Sequence, residues 1–336
     1  MPTSLRAAPA VPSLLAGALL LTGCGSDAAS PGDAAARVRD TGGAPHAQPL
    51  CPADVPQYGS LPPADGAAPA HSPSGTPSPL PLPPSGGQGE DGVRVTGLYA
   101  WGPDSGCGTG VSAGIEVTND GGEAAAYTVT LGFTAETGGD NVDHVVAPVA
   151  PGATVTRAVA LGSASHVSDV RIVKVRSVPA AETPSASGPC PPSGVHVYAD
   201  QGDAAMGLRA VGLHLVNCGT RPYPIEGYPR LELLDEDHEP VDGVRILDGT
   251  GRIGTGLGGD DAPRPVVLRP GEAAVSSLAW RNTTEFGDPV NAPYVRLWAK
   301  PGAAPVTVVP ELDLGTTGQL GVAPWRKDEQ RSGLGG

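Results

Sequence analysis

The densest group of chemically active side chains is the acidic run Asp235-Glu236-Asp237-His238-Glu239. Hard cations such as calcium take several oxygen ligands, so a weak calcium site is one interpretation of these carboxylates. The run does not have the spaced acidic positions or the central glycine of a dedicated calcium loop. It also lies between two predicted strands, where a solvated hairpin tip is expected. We therefore interpret residues 235–239 as a hairpin tip and predict no metal ligands.

A glycine-rich segment, Gly249-Thr-Gly-Arg-Ile-Gly254, has the spacing of a dinucleotide-binding loop. Such a loop must connect a strand to a helix, because the N-terminus of the helix holds the pyrophosphate. Here more glycines and the segment Asp260-Asp261-Ala-Pro263 follow, without a helical pattern. The sequence therefore predicts no cofactor and a mobile surface loop over 248–263. This loop, with its Arg252, is a candidate for contact with a partner, since loops between strands commonly bind partners.

Nucleophilic catalysis has no recognisable residue pattern in this sequence. The histidines are scattered, none forms a motif with a Ser or Cys nucleophile, and no Gly-x-Ser-x-Gly elbow occurs. His214 alternates with Leu213 and Leu215, which predicts that it lies on the solvent-facing side of a strand. We predict no catalytic residues.

Three aromatic residues, Tyr223, Tyr228 and Trp280, could line a binding groove. Such side chains more often pack in the core or at a corner of the fold, with their polar atom bonded to backbone. Both interpretations stay open. With Arg252, these residues form the candidate binding surface that the sequence offers.

Residues 1–23 have the pattern of a secretory signal peptide. They contain one charged side chain, Arg6, and an apolar run over 11–21 that is shorter than the roughly 20 residues of a membrane span. The run leads into Leu21-Thr22-Gly23-Cys24, which resembles the bacterial lipobox, whose cysteine is lipidated on sulfur and becomes the mature N-terminus. Two acyl chains on Cys24 would anchor the protein stably, because one chain alone is marginal. The alternative is an ordinary secreted protein.

Export would place the remaining cysteines in an oxidising compartment, where disulfides persist. More than one pairing is possible. We favour Cys51–Cys107 and Cys190–Cys218, because each pair then stays within one predicted domain. The sequence has no Cys-x-x-Cys and no His pair at helical spacing, so a zinc site is not predicted.

The composition predicts an all-β body. The chain has 49 Gly and 38 Pro but only 4% aromatic residues, which favours turns and linkers over long helices. Short runs rich in Val, Leu, Ala and Thr are separated by turn signals that contain Asn, Gly and Pro-Gly. Strands at this spacing predict two tandem immunoglobulin-like β-sandwiches. The predicted strands are 93–99, 111–118, 126–133, 142–149, 153–161 and 170–175, then 195–198, 206–216, 230–234, 241–247, 264–268, 273–281, 294–299 and 306–309.

The domain order follows from shifts in composition. Residues 24–90 are rich in Pro, Gly, Ser and Ala and poor in large apolar side chains, so we predict a disordered stalk. A proline-rich docking ligand is the alternative for the stalk. A β-sandwich over 91–178, a linker over 179–189 and a second β-sandwich over 190–325 follow. Residues 326–336 are polar and glycine-rich, and are predicted to be a flexible tail.

The same turn pattern occurs in both predicted sandwiches. A strand ends in Asn119-Asp-Gly in the first and in Asn217-Cys-Gly in the second, and a later strand begins after Pro151-Gly152 or Pro270-Gly271. Asn bonds its own backbone, Gly adopts the left-handed conformation and Pro presets φ. The pattern predicts two domains of related design, although similar turn chemistry also arises independently.

The formal net charge of −14 constrains the partners. A negative surface repels phosphate backbones, which argues against nucleic acid as a partner. Electrostatic adsorption to anionic lipid is disfavoured for the same reason. The simplest interpretation is that the acidic balance maintains solubility outside the cell.

Residues 190–325 resemble a family of actinobacterial exported proteins known as domain of unknown function 4232. The resemblance rests on the opening Cys190, Leu215-Val-Asn-Cys-Gly-Thr-Arg-Pro-Tyr223, Glu226-Gly-Tyr-Pro229, Val267-Leu-Arg-Pro-Gly-Glu272 and the closing run over 312–325. It implies a β-sandwich domain behind a signal or lipoprotein peptide, and it brings no assigned activity.

Together these features predict a lipid-anchored envelope protein that acts outside the membrane as a non-catalytic binding or scaffolding module. Its partners would be the membrane, through Cys24, and an envelope protein or polymer. One alternative is an enzyme, or an accessory subunit of one, acting on envelope polymer, which would need convergent titratable groups in a pocket. The other is a passive structural spacer, which would have neither a ligand pocket nor an exposed apolar patch.

Overall fold

The computed structural model describes residues 77–83, 89–105, 110–135, 138–161 and 167–329, which all belong to one compact unit. The predicted signal peptide, Cys24, Cys51 and Cys107 lie outside these ranges, so the lipidation and the Cys51–Cys107 pair stay predictions. No helix within the described ranges is long and apolar enough to cross a membrane. The described chain is all-β with short 3-10 turns, which confirms the predicted fold class.

The N-terminal lobe consists of two sheets that share one apolar core. Its strands are β1 (Ser78–Leu80), β2 (Gly89–Glu90), β3 (Val93–Trp101), β4 (Gly110–Thr118), β5 (Ala125–Ala135), β6 (Gly138–Val149), β7 (Thr154–Ala160) and β8 (Val167–Pro179). The five-stranded sheet has the order β1-β3-β4-β7 with β2 beside β3, and the three-stranded sheet has the order β6-β5-β8. Alternation sends Val93 and Val95 of β3 into the core, while Arg94 between them bonds Glu116 at the surface.

The C-terminal lobe follows a short linker that contains the 3-10 turn Ala180–Glu182. Its strands are β9 (Val195–Ala199), β10 (Asp203–Ala205), β11 (Leu208–Asn217), β12 (Tyr223–Ile225), β13 (Arg230–Leu234), β14 (Arg245–Asp248), β15 (Val266–Leu268), β16 (Ala273–Arg281), β17 (Val290–Ala292), β18 (Tyr294–Trp298), β19 (Val306–Val308), β20 (Leu312–Gly315), β21 (Gln319–Val322) and β22 (Arg326–Lys327). A seven-stranded sheet has the order β10-β11-β16-β21-β14, with β9 beside β11 and β22 beside β16. The sheet β13-β18-β19 and the pairs β12-β15 and β17-β20 complete the lobe. Strand β22 lies at the start of the predicted tail, 326–336, so the paired chain extends further than expected.

One core holds the C-terminal lobe together. It contains side chains from both larger sheets, such as Leu213 and Leu278 from the seven-stranded sheet and Leu297 from the three-stranded sheet. Trp325, which follows β21, also belongs to this core, and its indole donates to the carbonyl oxygen of Ala299 at 2.9 Å. Burial of these large side chains is the main stabilising contribution, since each fully buried one contributes roughly 1.5–3 kcal/mol.

The predicted asparagine turn is present in both lobes. Asn119 and Asn217 are buried, and each donates through Nδ2 to two backbone carbonyl oxygens at 2.7–2.9 Å. The backbone carbonyl of each accepts the N–H of its Pro-Gly glycine, Gly152 or Gly271, at 2.7 Å. In each lobe one side chain therefore fastens two turns to one another.

The disulfide between Cys190 and Cys218 is confirmed, with a Cα–Cα distance of 5.6 Å. It joins the first residues of the C-terminal lobe to the turn after β11. The backbone N–H groups of Cys218 and Gly219 also donate to the carbonyl oxygen of Gly194, so the same two segments are hydrogen-bonded. For a sequence separation of 28 residues, loop-closure entropy suggests a contribution of about 3.5 kcal/mol to the free energy of unfolding.

The last part of the predicted stalk, 24–90, belongs to the first sheet. Strand β1 pairs antiparallel with β3, and Leu80 packs against the core of the N-terminal lobe. Strand β2 extends the same edge. Proline at position 79 is compatible with this edge, because an edge strand need not donate on its outer side. The structure thus differs from the expected boundary at residue 90, since two short strands lie before it.

Candidate functional site

The contact between the lobes lies on the second face of the sheet β13-β18-β19. Alternation sends Leu233, Val295 and Leu297 into the core of the C-terminal lobe and their neighbours to the opposite face. Along that opposite face the side chains form an apolar end, a charged middle and an end with Arg230 and Trp298. The N-terminal lobe and the linker contact the first two of these zones.

The apolar end is sealed by the last residues of β8. A small cluster joins Val178 of the N-terminal lobe to Leu234, Tyr294 and Val309 of the C-terminal lobe. Tyr294 is only 2% exposed, and its phenol oxygen accepts the backbone N–H of Ser177 at 3.2 Å. Burial raises the pKa of the Tyr294 hydroxyl above its ordinary value, so it stays protonated at neutral pH.

His238 fixes the acidic hairpin tip against the N-terminal lobe. Its φ of +62° is left-handed, which turns the side chain back toward the sheet. The imidazole stacks on Tyr294 with ring centroids 4.3 Å apart, and Nε2 donates to the carbonyl oxygen of Ser177 at 2.8 Å. The tip at 235–239 is therefore held on one side, whereas the sequence predicted a solvated turn.

Arg176 makes a bidentate polar contact between the lobes. Its Nε and Nη2 donate to the two carboxylate oxygens of Glu311 at 2.8 and 3.2 Å, and Nη2 also donates to Glu236 at 3.1 Å. Burial alone would lower the pKa of Arg176, but the hydrogen bond and charge of Glu311 outweigh it and raise the pKa. Lys174 lies 3.2 Å from the same carboxylate. This paired arrangement fixes both the distance and the orientation of the two lobes.

The linker contributes the charged middle of the sheet face through Glu182. Its carboxylate accepts hydrogen bonds from Arg296 Nε at 2.9 Å and from the Thr307 hydroxyl. Arg296 also donates to Glu232 at 3.0 Å. The hydrogen bond that Arg296 donates to Glu182, followed by its bond to Glu232 and the charge of both carboxylates, raises the pKa of Arg296 despite its partial burial. The linker is thus attached to the C-terminal lobe by a defined set of bonds.

A cleft of about 750 Å³ opens beside this contact. We call it the interlobe cleft. Its walls are the turn 91–92, the asparagine turn 118–125, the end of β8 at 175–179, the hairpin tip 236–238, and Tyr294 with Arg296. Loops of both lobes therefore line one opening, and the ion pairs of Arg176 with Glu236 and Glu311 join its two sides.

The chemistry of the interlobe cleft is acidic. Its two arginines are occupied by glutamates, whereas four exposed carboxylates at its wall have no cationic partner among the described residues; these are Asp91, Asp120, Glu123 and Asp237. Burial and the charge of Asp120 raise the pKa of the Tyr127 hydroxyl, which also lines the cleft. The cleft can accept hydrogen bonds and neutralise a cation, and it disfavours anions.

The described residues that line the cleft offer few groups suited to metal binding or acid–base catalysis. In the part of the chain that the structure describes, no three His, Cys, Asp or Glu side chains are placed to hold a metal ion. His238 lines the cleft, but its Nε2 is bonded to a carbonyl and its ring is stacked, so it is arranged as a structural contact.

The four residues of the predicted binding surface lie outside the cleft, and each has different surroundings. Trp280 is 2% exposed, and its indole donates to Asp313 at 2.7 Å. Tyr228 is half-buried, and burial followed by nearby aspartates raises its hydroxyl pKa. Tyr223 lies under the ammonium of Lys300, while Arg252 is exposed in its loop.

The glycine-rich loop at 248–263 packs on the seven-stranded sheet. Thr250 and Ile253 are buried, and the carbonyl oxygen of Ile253 accepts a hydrogen bond from Arg281 at 2.9 Å. The N–H of Gly251 is capped by the Asp260 carboxylate at 2.7 Å. No helix follows among these residues, so the loop is a folded cover and does not have the geometry of a dinucleotide site.

These features define a two-lobed all-β protein with a polar cleft between its lobes. Residues 190–326 match the family model described as Domain of unknown function (DUF4232), so the C-terminal lobe carries a domain of that family, as its motifs predicted. No curated protein and no solved structure matches the chain.

Proposed function

We propose that this protein is a non-catalytic binding or scaffolding module, held outside the cell membrane by a lipid on Cys24, and that its ligand binds in the interlobe cleft. Both lobes would be sandwiches of the immunoglobulin-like class, which commonly bind through loops at the ends of their strands. The remainder of the stalk would separate this body from the membrane surface.

The observation that supports this proposal is the fixed cleft between the lobes. Arg176 and Tyr294 join its two walls through an ion pair and hydrogen bonds of 2.8–3.2 Å, and Glu182 attaches the linker to Arg296 at 2.9 Å. Ligand sites occur preferentially at such junctions, since groups from two bodies converge there. Preformed walls also lower the entropy that binding would otherwise cost.

The unpaired groups of the cleft suggest what its ligand presents. The exposed carboxylates favour a ligand with ammonium groups or several hydrogen-bond donors. Such groups occur on proteins and on amino-substituted envelope polymers alike. A polymer or protein partner of this kind would satisfy the cleft without any reaction.

Site-specific photo-crosslinking in source cells tests the proposal. A photoreactive amino acid would replace Glu123, whose side chain lines the cleft, and in a second strain the exposed Asp203 of β10, which does not. We expect a discrete adduct from position 123 and none from position 203. Equal labelling at both positions, or no adduct at either, would contradict a ligand site in the cleft.

A further inference from the structure

Beyond the interlobe cleft, two cations near the end of β18 each lie over an aromatic ring. Arg230 of β13 is the register partner of Trp298 of β18, and its guanidinium carbon lies 4.7 Å from the ring centroid. Two residues further, Lys300 places Nζ 3.7 Å from the ring centroid of Tyr223 and donates to the carbonyl oxygen of Pro224 at 3.0 Å. We call Arg230, Trp298, Lys300 and Tyr223 the cation–aromatic surface.

Both cations of this surface are available to an anion. Neither Arg230 nor Lys300 has a carboxylate partner among the described residues, although the chain has a net charge of −14. The nearest acidic side chain on this face of β13, Glu232, is already paired with Arg296 at 3.0 Å. Burial lowers the pKa of the Lys300 ammonium, and an anion beside Nζ would counteract that effect.

The aromatic rings orient the cations and add a surface of their own. A guanidinium stacked on a ring keeps its planar edge free for the two oxygens of a carboxylate or phosphate. Trp298 and Tyr223 are half-buried, so their positions are fixed by the lobe. Beside them Val267, the register partner of Pro224, is 57% exposed. The surface therefore offers fixed cations together with apolar faces.

The net charge of −14 separates the possible anionic partners. A bilayer or a nucleic acid presents dense negative charge over a wide area, which the acidic remainder of the lobe repels. A single extended chain contacts only a local patch, because salt screens more distant charges beyond about 10 Å. Sugar rings bring C–H faces that pack on aromatic rings, and acidic sugars add separated anionic groups.

We propose that the cation–aromatic surface binds an anionic glycan, with acidic groups paired to Arg230 and Lys300 and apolar parts of the sugars against Val267 and the exposed edges of the two rings. Arg230 and Trp298 of this surface lie on the sheet face that joins the lobes, but the chemistry of the surface is opposite to that of the interlobe cleft. A ligand here is thus independent of the ligand proposed for the cleft.

Calorimetric titration of the purified full-length protein tests this assignment. The probes are polygalacturonate, which presents carboxylates, phosphomannan, which presents phosphates, and neutral dextran. We expect binding of an acidic glycan that weakens as salt is raised, and no binding of dextran. The double substitution Arg230→Gln and Lys300→Gln should weaken binding about tenfold or more, since it removes charge-assisted hydrogen bonds.

The matched control is Arg245→Gln, which removes an exposed arginine of β14 that lies over no described ring. It should bind as the unaltered protein does, and all variants should keep the same unfolding midpoint. Binding of dextran as tight as that of the acidic glycans, or an unaffected double variant, would overturn the proposal. So would failure to bind either acidic glycan, or a preference for polyglutamate or phosphatidylglycerol vesicles, which would assign the surface to protein or lipid.

Discussion

Replacing Arg176 with glutamine should weaken the junction between the lobes by an amount that the contacts allow us to estimate. The Arg176 side chain is 14% exposed and makes two hydrogen bonds to Glu311. Hydrogen bonds to charged groups contribute roughly 1.5–3 kcal/mol. The pair with Glu236 adds less than about 1 kcal/mol, because Glu236 is 73% exposed. Lys174 still neutralises part of the charge of Glu311, so we expect a loss of about 2 kcal/mol in the free energy of unfolding.

Urea unfolding of the full-length protein, followed by tryptophan fluorescence, measures this loss. The matched control is Arg94→Gln, which breaks the pair with Glu116 inside the N-terminal lobe, where the arginine side chain is 61% exposed. That change should cost less than about 1 kcal/mol. A double substitution of Arg176 and Glu311 should cost less than the sum of the two single changes, because both remove the same interaction. Equal effects of Arg176→Gln and Arg94→Gln would refute a stabilising ion pair between the lobes.

Three further predictions follow from single residues. Asn217→Ala should lower the free energy of unfolding by about 2–3 kcal/mol, because it leaves two carbonyl oxygens without their donor; urea titration would show it, and an effect below that of Arg94→Gln would count against the turn. Burial would raise the pKa of Asp200. The hydrogen bonds that its carboxylate accepts from His214 and from two backbone N–H groups outweigh this effect and lower the pKa below 3.8. The stability that the Asp200 carboxylate contributes is therefore present above pH 3.8 and is lost as the pH falls through the lower pKa of the folded state. The difference in free energy of unfolding between the protein and Asp200→Asn should thus shrink in strong acid. A difference in free energy of unfolding that grows on acidification would contradict this prediction. Cys24→Ala should move the protein from the membrane fraction to the soluble fraction. If the variant stays in the membrane fraction, the predicted lipid anchor on Cys24 is wrong.

Local patterns in the sequence were sufficient to predict the all-β fold class. Strands 230–234 and 273–281 are observed with the predicted bounds, since both are largely apolar runs that follow a proline turn signal, Pro229 or Pro270-Gly271. The asparagine turns and the Cys190–Cys218 disulfide were also predictable, because they depend on residue types whose conformational preferences are strong. Strands such as β20 and β21 were missed, since four residues with a glycine give little periodicity.

The interlobe cleft could not be predicted, because its contacts join distant segments. Arg176 and Glu311 are 135 residues apart, and nothing local in either segment indicates a partner. The acidic tip was recognised as a hairpin tip, but its contact with Ser177 depends on the left-handed conformation of His238. Trp280 had two open interpretations, and the structure places it in the core, where its indole is satisfied by Asp313.

The central claim is that the interlobe cleft is the ligand site of an envelope-bound module. Hydrogen–deuterium exchange of the full-length protein, compared between its native membranes and the purified state, tests it most directly. We expect slower exchange in native membranes at 119–123 and 236–238, two loops that line the cleft, with no change at 255–258 in the glycine-rich loop. Identical exchange in both states at the two cleft loops would contradict the claim.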